Sequence, residues 1–158
     1  MSSLVSTNPK IGNQPIFEAE IRMKLEENIG YRFTDLELLS DALRHRSWCS
    51  ENEGDSNERL EFLGDSLLGC MTAEYLYLRF EGEDEGFMTK IKTRIVNGEQ
   101  LCYLATQLGM NPHLIISKHI EENCSSRDNQ HILEDVLEAF IGALYLDSHD
   151  FVLIRKFV

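Results

Sequence analysis

Asn57–Gly69 reads N-E-R-L-E-F-L-G-D-S-L-L-G, and this stretch decides how the 158-residue chain is understood. Wound at about 100° per residue, it sets Glu58, Glu61 and Asp65 at spacings i, i+3 and i+7, within roughly 60° of arc. Leu60, Leu63, Leu67 and Met71 fall on the opposite side, which reads as a face turned into a core. One turn past Asp65 the acidic stripe ends in Gly69. Helix physics does not favour such a stripe, since like charges at these spacings repel by a few tenths of a kcal/mol. Taken alone, it is compatible with a solvated acidic face as well as with a site.

A second stretch repeats the layout. His131–Asp147 reads H-I-L-E-D-V-L-E-A-F-I-G-A-L-Y-L-D, with Asp135 and Glu138 at i, i+3 and Gly142 one turn beyond on the same face. Leu133, Leu137, Phe140, Ile141 and Leu144 form its apolar side. In both stretches carboxylates one turn apart are followed by a glycine, which lets two helices approach near the charged layer. Carboxylates gathered in this way suit hard cations. The spacing therefore points to a divalent-metal site between two helices with only oxygen ligands.

The same residues carry a resemblance. Asn57–Leu68 resembles the hallmark motif of the ribonuclease III nuclease domain, and Glu134–Asp147 (E-D-V-L-E-A-F-I-G-A-L-Y-L-D) resembles that family's second acidic motif. Gly30–Trp48 (G-Y-R-F-T-D-L-E-L-L-S-D-A-L-R-H-R-S-W) and Glu85–Leu101 (E-G-F-M-T-K-I-K-T-R-I-V-N-G-E-Q-L) are similar to its flanking parts, so the likeness spans about residues 25 to 158. It implies an all-α helical bundle and a Mg²⁺-dependent endoribonuclease, with Mn²⁺ able to substitute. Such an enzyme hydrolyses phosphodiester bonds of double-stranded RNA, leaves 5′-phosphate and 3′-hydroxyl ends, and acts as a homodimer. It further implies that Glu61, Asp65, Asp135 and Glu138 are the metal and catalytic set. Glu58 and Glu85 match further acidic positions and take supporting roles.

Phe62 lies near 40° from Glu58, beside the acidic stripe and away from the leucine side. A large aromatic there is either a lid over the site or an anchor in another chain. The resemblance favours the anchor, with the phenylalanine plugged into a partner copy. Lys90, Lys92 and Arg94 form the tight basic run in the acidic middle of the chain. They either pair with nearby acids or, as the resemblance implies, contact phosphates. Asn129 and His131 stand where the family usually has basic and small residues, which leaves the role of that loop open.

Composition fits one domain large enough to bury about two-thirds of its unfolded surface. Hydrophobic residues make up 42% and charged residues 27%, as in an ordinary globular chain. The first fifteen residues lack the apolar run of a signal peptide, and the uncharged run Gln100–Ser117 is interrupted by Asn111, Pro112 and His113. No membrane association and no organic cofactor are expected. Cys49, Cys70, Cys102 and Cys124 form no C-x-x-C pair, which suits reduced thiols in an intracellular, cytoplasmic setting better than zinc or disulfides. The formal charge of −12 is awkward for a duplex-binding protein, since phosphate contacts normally come from a basic face. In the resembled family a separate double-stranded-RNA-binding domain supplies much of the affinity, and this chain has no such segment.

Along the chain, 1–15 reads as a flexible arm and 16–158 as the nuclease domain. A helix is expected over Ile16–Glu27, and a capping box of Thr34 and Glu37 opens the next. Trp48–Asn57 reads as an acidic loop, with Asp55 or Asn57 able to cap the helix that follows and runs to about Phe80. Phe87–Leu108 reads as helix with Ile91, Ile95, Leu101, Leu104 and Leu108 packed, and Gly98 marking a possible break. Leu114–Ile116 is too short to assign, Glu121–Gln130 reads as a polar loop, and Phe151–Val158 reads as a helix cut short.

Two other functions compete. A catalytically silent dimerisation or RNA-scaffold domain on the same fold would be expected to lose acidic ligands, and all four are present. A different all-α metal hydrolase acting on nucleotides would be expected to show histidine ligands, yet none of the five histidines aligns with the acidic stripes.

Overall fold

The computed structural model describes residues 30–123 and 126–158, together with Met23, Glu27 and Asn28. The expected arm at 1–15 and nearly all of the expected helix Ile16–Glu27 lie outside the described residues. Among those described, the elements are helices: α1 (Leu36–Ala42), α2 (Arg46–Cys49), α3 (Glu58–Arg79), α4 (Glu85–Ile95), α5 (Gly98–Gln107), α6 (Lys118–Asn123), α7 (Gln130–Ser148) and α8 (Phe151–Phe157). The expected all-α class holds.

The core is built around α7, whose buried residues run from Ile132 and Leu133 through Val136, Leu137 and Phe140 to Leu144. Such a helix is apolar on most of its circumference and needs neighbours on several sides. α3 covers one side with Leu60, Leu67, Leu68 and Met71, α5 another, and α1 a third. α4 packs chiefly on α3 and buries no residue fully.

Local chemistry sets the boundaries, and several differ from the sequence expectation. The cap of α1 is Asp35, whose Oδ1 accepts from the Glu37 and Leu38 amides at 2.9 and 3.3 Å, not Thr34. Thr34 instead donates its amide to Asp147 Oδ2 at 2.8 Å, and Tyr31 Oη and the Asp35 amide donate to the same carboxylate. Asp147 thus ties the end of α7 to the start of α1. Burial raises its pKa, but these hydrogen bonds outweigh that and hold it below the usual range.

The break at Gly98 is real. Asn97 caps α5, its Oδ1 accepting from the Gln100 amide at 3.0 Å. Because the break puts α4 and α5 out of one register, their apolar stripe does not continue. Ile95 and Leu104, expected to pack, are 42% and 41% exposed. The expected acidic loop begins inside α2. At the start of α3, Asn57 occupies the cap position but makes no capping bond; its Nδ2 donates to the buried Ala42 carbonyl.

The described residues of Glu121–Gln130 form more than a polar loop. They hold the end of α6 and a 3₁₀ turn at Ser126–Asp128. The Arg127 guanidinium pins them, donating to Glu121 and to the carbonyls of Asn111, Pro112 and Leu114. The short run Leu114–Ile116 forms an isolated parallel bridge between Ile115 and Arg44. That bridge fixes the chain leading into α2, with the His45 amide donating to the Ile115 carbonyl at 2.9 Å.

Candidate active site

The crossing of α3 and α7 builds the site. A Cβ placed on Gly64 would overlap the Glu138 carbonyl oxygen, and one on Gly142 would overlap the Leu60 carbonyl oxygen. The two backbones therefore touch, with Glu61 and Asp65 flanking Gly64 on one helix and Asp135 and Glu138 preceding Gly142 on the other. Gly142 plays the part its spacing suggests. Gly69 does not: a Cβ there would lie 3.3 Å from Lys92 Nζ on α4, so the close approach belongs to Gly64 instead.

At this crossing the carboxylates share one field. Glu138 is half-buried, and its pKa is pushed up to about 8, first by burial and then by the charges of Asp65, Glu134, Glu61 and Asp135. Burial raises Glu61 as well, helped by Asp135 and Glu58 and opposed by Arg46. Asp135 is raised by burial and by Glu134, while His45, His131 and Arg46 pull it down. Each of the four expected site residues is thus felt by at least one other across the seam. They stand apart, as like charges do. Among the described residues no three His, Cys, Asp or Glu side chains converge into a ready metal cage.

The donor set nonetheless suits a hard cation. All four groups offer oxygen, and magnesium takes only one or two carboxylates directly while keeping its waters. A carboxyl pushed up to about 8 by burial and then by its acidic neighbours is a group that the protein's own cations do not neutralise.

The supporting residues are more scattered. Glu58 is exposed at the rim, accepting from Ser56 Oγ at 2.7 Å and standing 3.9 Å from Arg46. Glu85 lies in the first turn of α4, where its Oε1 accepts from Thr89 Oγ1 at 2.8 Å. It lines a groove of about 540 Å³ with Cys70, Tyr77 and Met88, away from the groups that perturb the four carboxylates. Phe62 is 78% exposed. The basic run divides: Lys90 and Arg94 share the exposed side of α4, whereas Lys92 faces α3 and closes a groove of about 640 Å³ with Asp65, Gly69 and Thr93.

Glu134, His45, His131 and Arg46 also belong to this field; the spacing argument passed over them, and the expectation that no histidine aligns with the acidic stripes fails at His131, one turn before Asp135. Glu134 was legible, being one turn before Glu138; its Oε2 lies 3.7 Å from His131 Nδ1 and close against Gly98. His45 and Arg46 were not, because the long-range bridge at Ile115 brings them to the site.

Residues 35–157 match the family model described as Ribonuclease-III-like. The chain belongs to the ribonuclease III family. It is 41% identical over 151 residues to Ribonuclease 3 of Treponema denticola, covering 94% of this chain and 60% of that protein. With Ribonuclease 3 of Geobacter metallireducens it shares 39% identity over 133 residues, covering 82% of this chain and 54% of the relative. The chain thus spans a little over half the length of the ribonuclease III relatives it matches. The nuclease domain of ribonuclease III from Campylobacter jejuni superposes with a TM-score of 0.78 at 35% identity, covering 84% of this chain and 90% of that one. That domain is described as having a flexible region involved in dimer formation. Dicer from Pichia stipitis, with a TM-score of 0.57 at 24% identity, shares the fold, covering 80% of this chain and 56% of that one.

Proposed function

We propose that this ribonuclease III-family chain is the catalytic domain of a Mg²⁺-dependent endoribonuclease. It hydrolyses phosphodiester bonds of double-stranded RNA to 5′-phosphate and 3′-hydroxyl ends and works as a homodimer. The observation that carries the reading is the glycine-lined crossing, where Glu61 and Asp65 share one electrostatic field with Asp135 and Glu138 and Glu138 is pushed up to about 8.

Glu61, Asp65, Asp135 and Glu138 are the residues that would hold the metal. A carboxylate-held Mg²⁺ supplies a water acidified toward a nucleophile and charge neutralisation at the phosphate. Carboxylates that do not bind it directly accept hydrogen bonds from the attacking water and so fix its direction of approach. Glu58 adds negative charge at the rim, and Glu85 lies further out, where its part is to shape the second groove. Lys92 shares a groove with Asp65 and would meet a phosphate at the edge of the acidic layer, with Lys90 and Arg94 extending that contact outward. Phe62 has no packing of its own that explains an aromatic at 78% exposure, and a partner copy gives it one.

Incubation of the purified chain with a long RNA duplex tests the proposal. Cleavage with Mg²⁺ that stops with EDTA and disappears in Glu138→Gln is the expected result. Cleavage unaffected by EDTA would overturn it.

A further inference from the structure

At the carboxylate rim, the ring hydrogen of His45 can be placed from its partners. Its Nδ1 receives the Ser47 backbone N–H at 3.2 Å, and an amide nitrogen can only donate. Ser47 Oγ lies 2.9 Å from the same Nδ1 and itself accepts the Ser117 amide at 3.1 Å, which leaves its hydroxyl hydrogen for His45. With Nδ1 accepting, the ring proton sits on Nε2 and the imidazole is neutral. The Arg44–Ile115 bridge and the His45 amide bond to Ile115 hold the backbone beneath it. Nε2 lies at the far end of the ring from Ser47. The side chain is half-buried, and its field reaches Asp135, Glu58 and the neighbouring Arg46.

We propose that His45 is a further substrate-contacting residue of this site, its fixed Nε2–H donating a hydrogen bond to a non-bridging phosphate oxygen of RNA bound against the carboxylate layer. The inference rests on the reading of the chain as a nuclease acting on RNA duplexes. A phosphate approaching Asp135 and Glu58 meets mostly negative charge. A neutral donor held at that edge gives the phosphate a partner whose strength does not depend on uptake of a proton. Arg46, 72% exposed and 3.9 Å from Glu58, supplies the accompanying positive charge. The serine relay does for His45 what a hydrogen bond to the second ring nitrogen commonly does for functional histidines: it fixes tautomer and orientation together.

Two substitutions separate this role from capping. His45→Asn keeps an oxygen where Nδ1 accepts the Ser47 amide, and asparagine caps helices well, but it removes the distal donor. His45→Gln keeps an amide N–H near the Nε2 position and gives up the cap. Cleavage of a duplex RNA should fall roughly tenfold or more in His45→Asn, the loss expected for one hydrogen bond to a charged group, while its melting temperature stays near wild type. His45→Gln should recover part of that rate although it is less stable. Independently of turnover, ¹⁵N imidazole spectra of the wild-type chain should show the Nε2–H tautomer at neutral pH. In Ca²⁺, addition of a short RNA duplex should shift that nitrogen. If His45→Asn cuts as fast as wild type, or the ring carries its proton on Nδ1, the assignment is overturned. If RNA perturbs Asp65 and Glu138 but leaves His45 unmoved, this inference alone fails. If it perturbs none of them, the nuclease reading fails with it.

Discussion

Replacing Gly64 with alanine tests the crossing on which the site depends. The new methyl would enter the space of the Glu138 carbonyl oxygen, a backbone atom with no side-chain freedom to yield. Relief requires α3 and α7 to part by roughly an ångström, in an interior packed as densely as an organic crystal. Overpacking of this kind costs about 1–3 kcal/mol, at the upper end where backbone meets backbone, and glycine to alanine in a helix returns about 1 kcal/mol. The net is a destabilisation of about 2 kcal/mol, or a fall in melting temperature of roughly 4–8 °C for a chain of this length. Gly69→Ala is the control five residues along the same helix. There the Cβ would meet only the tip of Lys92 at 3.3 Å, so propensity should dominate and the melting temperature should hold or rise slightly. Function should separate the two variants further. A shift of about an ångström between catalytic groups can cost around a hundredfold in rate, so Gly64→Ala should lose that much kcat/KM even at temperatures where it is folded. Circular-dichroism melts and cleavage of a long RNA duplex report both quantities. If Gly64→Ala matched Gly69→Ala in both, the seam would not be what holds the carboxylates in place.

Other expectations follow from the same geometry. Glu138→Gln should abolish duplex-RNA cleavage while leaving the metal-free fold as stable as wild type or, as pH rises toward 8, more so, because the amide cannot take on the charge that burial and the neighbouring carboxylates resist; melts alongside cleavage assays check this. Phe62→Ala should weaken self-association by about 2 kcal/mol or more without touching a carboxylate, read by sedimentation at low micromolar concentration. Glu138 has a folded pKa raised to about 8 from 4.5, so the stability it contributes is fully present below the lower value and lost as pH rises through the upper one. Metal-free protein should therefore melt at progressively lower temperature between about pH 5 and pH 8.5, and Mg²⁺ should flatten the trend; a rising midpoint over that range would contradict the shared field.

Much of this architecture was legible because it is periodic. The two acidic stripes, the apolar faces of α3 and α7 and the break before Gly98 all follow from spacings within one helix or turn. What escaped was set by long-range partners. Thr34 looked like a cap because Glu37 follows it, but Asp147, far along the chain, claims its amide, and Asp35 takes over. The polar run after Glu121 carries no apolar period, yet Arg127 orders it by reaching carbonyls thirteen or more residues earlier. Gly69 and Gly64 lie on the same helix, and spacing could not tell which one faces α7. Ile95 and Leu104 fit an apolar stripe that the turn at Asn97 interrupts. For the site, chemistry and spacing gathered the four carboxylates, whereas His45 reached them only through a bridge between chain segments some seventy residues apart.

The crossing also explains how so unfavourable a charge arrangement persists. Repulsion among Glu61, Asp65, Asp135 and Glu138 would be relieved if α3 and α7 slid or parted. Sliding is opposed because each glycine seats a carbonyl of the opposite helix, and parting would expose Leu60, Leu67 and Met71 along with the apolar length of α7. Burying one such side chain is worth about 1.5–3 kcal/mol, while each like-charge contact costs a fraction of that at a partly solvated rim. The apolar seam therefore wins, and the carboxylates remain close enough to push Glu138 to about 8. That raised pKa reflects first the burial of the carboxyl and then the repulsion the fold maintains around it, and a cation binding there would relieve both. On the proposed reading, a chain of net charge −12 would offer a phosphate at this site the donors of its rim: Lys92 beside Asp65, Lys90 and Arg94 further out, and Arg46 with His45 beside Glu58. Approach of an RNA backbone would then be governed less by overall attraction than by whether the acidic centre has first been neutralised.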